Sequence, residues 1–120
     1  MVLNYKQALW AAYTLLDDLY DQTKSNPLRE LLSDMNPFLF VERTPIDPAT
    51  WFEWVNCATA IQGNGYLTDA AIFEALASFL NYNEEEYGYK SALIIKELQS
   101  PVYQKRWGEL LEKVSTYPDA

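Results

Sequence analysis

The chain contains no histidine, one cysteine and only four glycines among its 120 residues. Each scarcity removes a class of chemistry. Without histidine, neither Cys57 nor any serine has the usual partner that activates a nucleophile. Zinc loses nearly every ordinary ligand set. A di-metal carboxylate bundle, which needs Glu-x-x-His motifs from several helices, is excluded, although Asp17 and Asp21 stand one helical turn apart. One cysteine cannot close an internal disulfide, which fits a reducing compartment. There is no Gly-rich phosphate loop. The segment Gly63-Asn64-Gly65-Tyr66-Leu67-Thr68 has the outline of part of a calcium loop, but its first and last ligand positions fall on Ala60 and Ala71. No apolar run approaches the roughly 20 residues of a membrane span. The opening Met1-Val2-Leu3-Asn4-Tyr5-Lys6 lacks the regions of a signal peptide, so the expected location is the cytoplasm. The expectation is a protein that is no enzyme and carries no metal or cofactor.

Positive charge is scarce as well. Nine Lys and Arg stand against 17 Asp and Glu, a net charge of −8. Such a field repels nucleic acid and anionic membrane and favours basic protein partners. Solubility alone accounts for it equally well. Apolar side chains are plentiful, at 49% of residues with 15% aromatic, enough for one domain of this length to bury a single core.

The stretch from Ile46 to Ile61 carries the strongest helix signal. Asp47 is a ready N-cap, Pro48 suits the first helical position, and Ile46 with Trp51 has staple spacing. Trp51, Trp54, Val55, Ala58 and Ile61 form one apolar stripe, which predicts the core helix. Before it, Asn4 and Gln7 form a variant capping box that opens a helix with Tyr5, Leu9, Ala12, Leu16 and Leu19 inward, widened by Tyr13, Leu15 and Tyr20. Asn26-Pro27 starts a short second helix, with Asn26 as cap, running to about Asp34. From Met35 to Ile46, Pro37 and Pro45 indicate an extended loop. The run Phe38 to Val41 has no evident strand partner and reads as an apolar cover over the core.

After Ile61, Gly63-Asn64-Gly65 predicts a left-handed helix end. Thr68 caps the next helix, with Leu67 against Ile72 as a staple and Ile72, Leu76, Phe79 and Leu80 inward. Asn81-Tyr82-Asn83 breaks the pattern, and Asn83 is expected to cap a helix beginning Glu84-Glu85-Glu86, where acids suit the dipole. That helix turns Tyr87, Leu93, Ile94 and Leu98 inward, with Gly88 a weak spot. Ser100-Pro101 opens the last helix, which presents Tyr103, Trp107, Leu110, Leu111 and Val114 and frays after Tyr117. The expected fold is all-α, a compact single-domain bundle of about five to six helices. A weak internal echo aligns Leu3/Leu67, Ala11/Ala75, Leu15/Phe79 and Leu16/Leu80 at an offset of 64.

Two acidic clusters remain as candidate contact surface: Asp17, Asp18 and Asp21 with Tyr20, and Glu84, Glu85 and Glu86 with Tyr87. Acid beside tyrosine suits an interface with a basic protein, while a solvated helix end is the plain alternative for either cluster. Leu31-Leu32-Ser33-Asp34-Met35, a variable loop and Asp47-Pro48-Ala49-Thr50-Trp51-Phe52-Glu53-Trp54, with the opening Leu3 to Ala8, resemble small bacterial immunity proteins of contact-dependent growth inhibition and related polymorphic toxin systems. The resemblance spans about residues 3 to 61. It implies a cytosolic inhibitor that binds a cognate toxin's C-terminal domain, in many cases a nuclease with a basic substrate surface, and blocks its active site. It supplies no catalytic residue. A helical adaptor or phage-encoded regulator that binds a host protein is the alternative, and an immunity gene's place directly after a toxin gene separates the two.

Overall fold

The computed structural model describes residues 2–39 and 43–117. A short strand β1 (Val2–Asn4) leads into α1 (Tyr5–Thr23), α2 (Asn26–Met35) and α3 (Pro48–Ile61). A second strand, β2 (Tyr66–Thr68), leads into α4 (Asp69–Tyr87), α5 (Ser91–Leu98) and α6 (Pro101–Val114). The architecture is the expected small helical bundle, with a radius of gyration of 13.0 Å, plus a two-stranded antiparallel ribbon.

The echo at an offset of 64 extends much further than two helices. It carries β1 onto β2 and α1 onto α4 end to end, and α2 onto the span around α5. An offset of 53 then carries α3 onto α6, both 14 residues long and both opening on proline. The change of offset reflects the connections: residues 36–47 join α2 to α3, whereas Gln99 and Ser100 alone join α5 to α6. The caps repeat too. Asn4 and Thr68 each accept a bond from the backbone N–H three residues on, and Lys24 and Gly88 end α1 and α4 in the left-handed conformation. Packing follows the same rule, with α1 lying along α6 as α4 lies along α3. Val2 pairs with Thr68, Leu3 with Leu67 and Asn4 with Tyr66, the register that a local two-fold axis between Leu3 and Leu67 produces. Both leucines are buried.

The central element is α1, not the Ile46–Ile61 helix. Nine of its residues are buried, among them Trp10, Leu15 and Leu16. In α3 only Thr50, Trp54 and Ala58 are buried, while Trp51, Val55 and Ile61 are half-buried and Ile46 is exposed. Trp51 marks the edge of the stripe and Trp54 its middle, where it meets Phe79 edge to face at 5.8 Å. The Asn4–Gln7 capping box forms as expected, with reciprocal bonds of 2.8 and 3.1 Å.

Several boundaries differ from expectation. Ser25, not Asn26, caps α2, and its hydroxyl accepts from Leu28 N at 3.4 Å. α3 ends at Ile61 on an extended Gln62, and the left-handed residue of the following turn is Gly65. Leu3 and Leu67 belong to strands rather than helix starts. Most consequential is Asn83, which caps nothing. It lies buried inside α4 and donates to Phe79 O at 3.0 Å, so the helix continues to Tyr87. Burial of Leu80 and Asn83 outweighs the poor helix propensity of Asn81-Tyr82-Asn83. Gly88, at φ 86°, is the terminator, since an L side chain there is strained. Leu93 is 63% exposed rather than inward. Phe38 does cover the core, packing on Trp10 and Tyr13 at 6.3 and 5.8 Å, but Leu39 is 65% exposed and does not; Phe40 and Val41 lie outside the described residues. No helix among the described residues is long and apolar enough to cross a membrane.

Candidate protein-binding site

The moved boundary relocates one acidic cluster. Glu84, Glu85 and Glu86 occupy the last turn of α4, just as Asp17, Asp18 and Asp21 occupy the end of α1. Both clusters sit where the helix dipole disfavours negative charge. Their members do different work. Asp18 accepts a charged bond from Arg106 Nε at 2.7 Å and ties α1 to α6. Glu84 accepts from Ser91 N at 2.9 Å and stands in for the missing side-chain cap of α5. Tyr87 donates its hydroxyl to Asp34 Oδ2 at 2.5 Å and so ties α4 to the end of α2. These three have clear structural duties.

The others are more open. Asp21 faces Lys24 at 3.8 Å with both side chains largely in solvent, and Lys24 also lies over the Tyr20 ring at 5.2 Å. Burial, followed by repulsion from Asp21 and Asp18, raises the Asp17 carboxyl above the ordinary range. Glu85 and Glu86 are exposed. Glu86 and Tyr87 line a shallow cleft of about 330 Å³ with Asn26, Pro27 and Glu30. The end of α4 therefore meets the start of α2, a few residues after α1 stops.

Folding also assembles acids that the sequence kept apart. The Asn83 amide lies near Glu53 on α3 and favours its charged form, yet the Glu53 carboxyl is raised, first by burial and then by Glu86, Asp47 and Asp34. Burial, then Asp34, Glu86 and Glu53, push the Tyr87 hydroxyl well up; burial, then Glu84, Glu53 and Glu86, do the same to Tyr89, and the two rings stack at 6.5 Å. Tyr89 is held from behind by its bond to Leu80 O at 2.7 Å. The result is an acidic face made by the end of α2, the first half of α3 and the end of α4. Phe52 and Tyr82, sequence neighbours of Glu53 and Asn83, are each about two-thirds exposed. Asp34, Asp47, Glu53 and Tyr89 carry no shared local pattern, and only the close packing of α3 on α4 reveals them as neighbours.

Cys57 is half-buried, with its thiol pushed up by burial. Compared with known proteins, the chain matches no family model, no curated protein and no solved structure.

Proposed function

We propose that the chain is an immunity protein, a stoichiometric inhibitor that captures a basic toxin domain and occludes its substrate groove. The observation that carries the reading is the acidic face around Glu53. Its carboxylates, gathered from the end of α2, the cap and first half of α3 and the end of α4, repel one another; Asp34 and Asp47 also serve Tyr87 and the α3 cap, but the fold gains little from Glu53 and Glu86. Charges that cost stability are a common mark of surface kept for binding. Electrostatic steering by such a face accelerates encounter with a basic groove, and exposed Phe52 and Tyr82 supply aromatic area once contact is made. The target class is a toxin domain with a positively charged substrate surface, as a nuclease has.

Co-expression with the C-terminal domain encoded directly upstream tests this. Survival of the cells and a one-to-one complex are expected. Death of the cells with no complex would remove the immunity reading and favour an adaptor for a host protein. Charge reversal at Glu85 and Glu86, or at Asp17 and Asp21, should weaken the complex. Asp18 and Glu84 make poor probes, because their loss disturbs Arg106 and α5.

A further inference from the structure

Away from the acidic face, an open groove of about 520 Å³ runs between the first turn of α4 and the middle of α6. Phe73, Trp107 and Leu111 line it, the two rings meeting edge to face at 6.3 Å, and Gln99 and Gln104 add polar amides. Trp107 is only 5% exposed, yet its indole N–H meets no acceptor among the described residues. The equivalent groups of Trp10 and Trp54 donate to Arg43 O and Tyr5 O at 3.0 and 2.9 Å. Since no buried side-chain nitrogen or oxygen is left without a partner, the Trp107 N–H reaches solvent.

Gly108 is a second anomaly. It sits mid-helix, where glycine weakens the structure, and a Cβ there would meet nothing within 4 Å. Packing inside the chain does not call for it.

The repeat explains why the groove is open. Trp107 and Leu111 correspond to Trp54 and Ala58, and Asp69 corresponds to Tyr5. In the first half Tyr5 spans the matching position: its carbonyl accepts from Trp54, and its hydroxyl donates to Gln62 O at 2.5 Å and accepts from Gly65 N at 3.3 Å. In the second half an aspartate stands at that position, and no ring of the described residues takes the place of Tyr5.

We propose that this groove receives an aromatic side chain of the protein partner, with a neighbouring backbone carbonyl of the partner accepting from the Trp107 indole N–H. The inference rests on the partner-binding reading. It repeats between molecules what Tyr5 does within one. The net charge of −8 selects a basic segment to carry that ring.

The test is an NMR titration of the full chain with N-acetyl-tyrosinamide, following the tryptophan indole resonances and assigning Trp107 through Trp107→Phe. The Trp107 resonance should move saturably while those of Trp10 and Trp54 stay. Gly108→Leu, which fills the groove and raises helix propensity, should weaken the response at least tenfold, and N-acetyl-alaninamide should give none. A Trp107 resonance that does not move, or that moves equally in Gly108→Leu, overturns the proposal. With the toxin domain itself, Gly108→Leu should weaken binding at least tenfold, and unchanged affinity again overturns it. If the wild-type chain binds no toxin domain, the partner reading falls, and the titration still judges the groove by itself.

Discussion

The two halves of this protein use one plan with different results. In the first, Tyr5 bridges Trp54 and the turn after α3. In the second, Asp69 and Gly108 leave the matching space between α4 and α6 open. The backbone elements and their caps are preserved while side chains at equivalent points diverge. Architecture here depends on caps, apolar stripes and the Leu3–Leu67 pair, which tolerate such divergence. Surface function depends on which equivalent position lost its filling.

The comparison is broken most forcefully at the tryptophans. Trp54→Phe leaves the Tyr5 carbonyl short of a donor and opens a cavity, so it should cost about 2–3 kcal/mol in urea unfolding. Trp107→Phe loses no internal hydrogen bond and should cost about 1 kcal/mol. Equal costs would mean that the two sites are equally closed.

The N-caps come next. Asn4→Ala removes the 2.8 Å side-chain half of a reciprocal box and should cost about 1.5 kcal/mol by thermal or chemical unfolding. Thr68→Ala removes two long contacts of 3.4 Å, one accepted from Ala71 N and one donated to Gln62 Oε1, and should cost about 0.5 kcal/mol.

At the helix ends, Lys24 adopts φ 52° where its counterpart is Gly88 at 86°. Lys24→Gly should stabilise by roughly 0.5 kcal/mol, net of an exposed ion pair, while Gly88→Lys should destabilise by about 1 kcal/mol. A melting-temperature comparison of the two swaps gives the signs directly.

The smallest effect belongs to the acidic face. A raised folded-state pKa means that Glu53 contributes stability below the ordinary carboxyl value of 4.5 and loses it as pH rises through the raised value. Stability should therefore decline upward from that point. Glu53→Gln keeps an amide for Asn83 and should flatten the decline, gaining roughly 0.3 kcal/mol at pH 7 after allowance for solvent screening. Melting curves between pH 4 and 8 would register it; an unchanged slope would show that the carboxylates around Glu53 are too well solvated to repel.

Much of the fold was legible because its signals are local. Asn4 with Gln7, Asp47 with Pro48, Thr68, and the stripe from Tyr103 to Val114 state their roles within one or two turns. What was hidden depends on partners far along the chain. Three-residue strands such as Val2–Asn4 exist only because β2 pairs with them. Asn83 read as a cap until burial against Glu53 and Phe79 kept it helical, and that error placed Glu84 to Glu86 at the wrong end of a helix. The two acidic clusters were visible as composition. Their division into structural members, Asp18 and Glu84, and open members, Asp21, Glu85 and Glu86, came from bonds spanning up to 88 residues. The face around Glu53 had no sequence signature, because Asp34, Asp47, Glu53 and Glu86 share neither a helix nor a spacing.

The most direct test of the account is the association rate of the purified chain with the upstream-encoded toxin domain, measured across a range of ionic strengths. A one-to-one complex whose association slows steeply as salt rises is the predicted result. No complex, or a complex whose association rate ignores salt, would contradict capture by the acidic face.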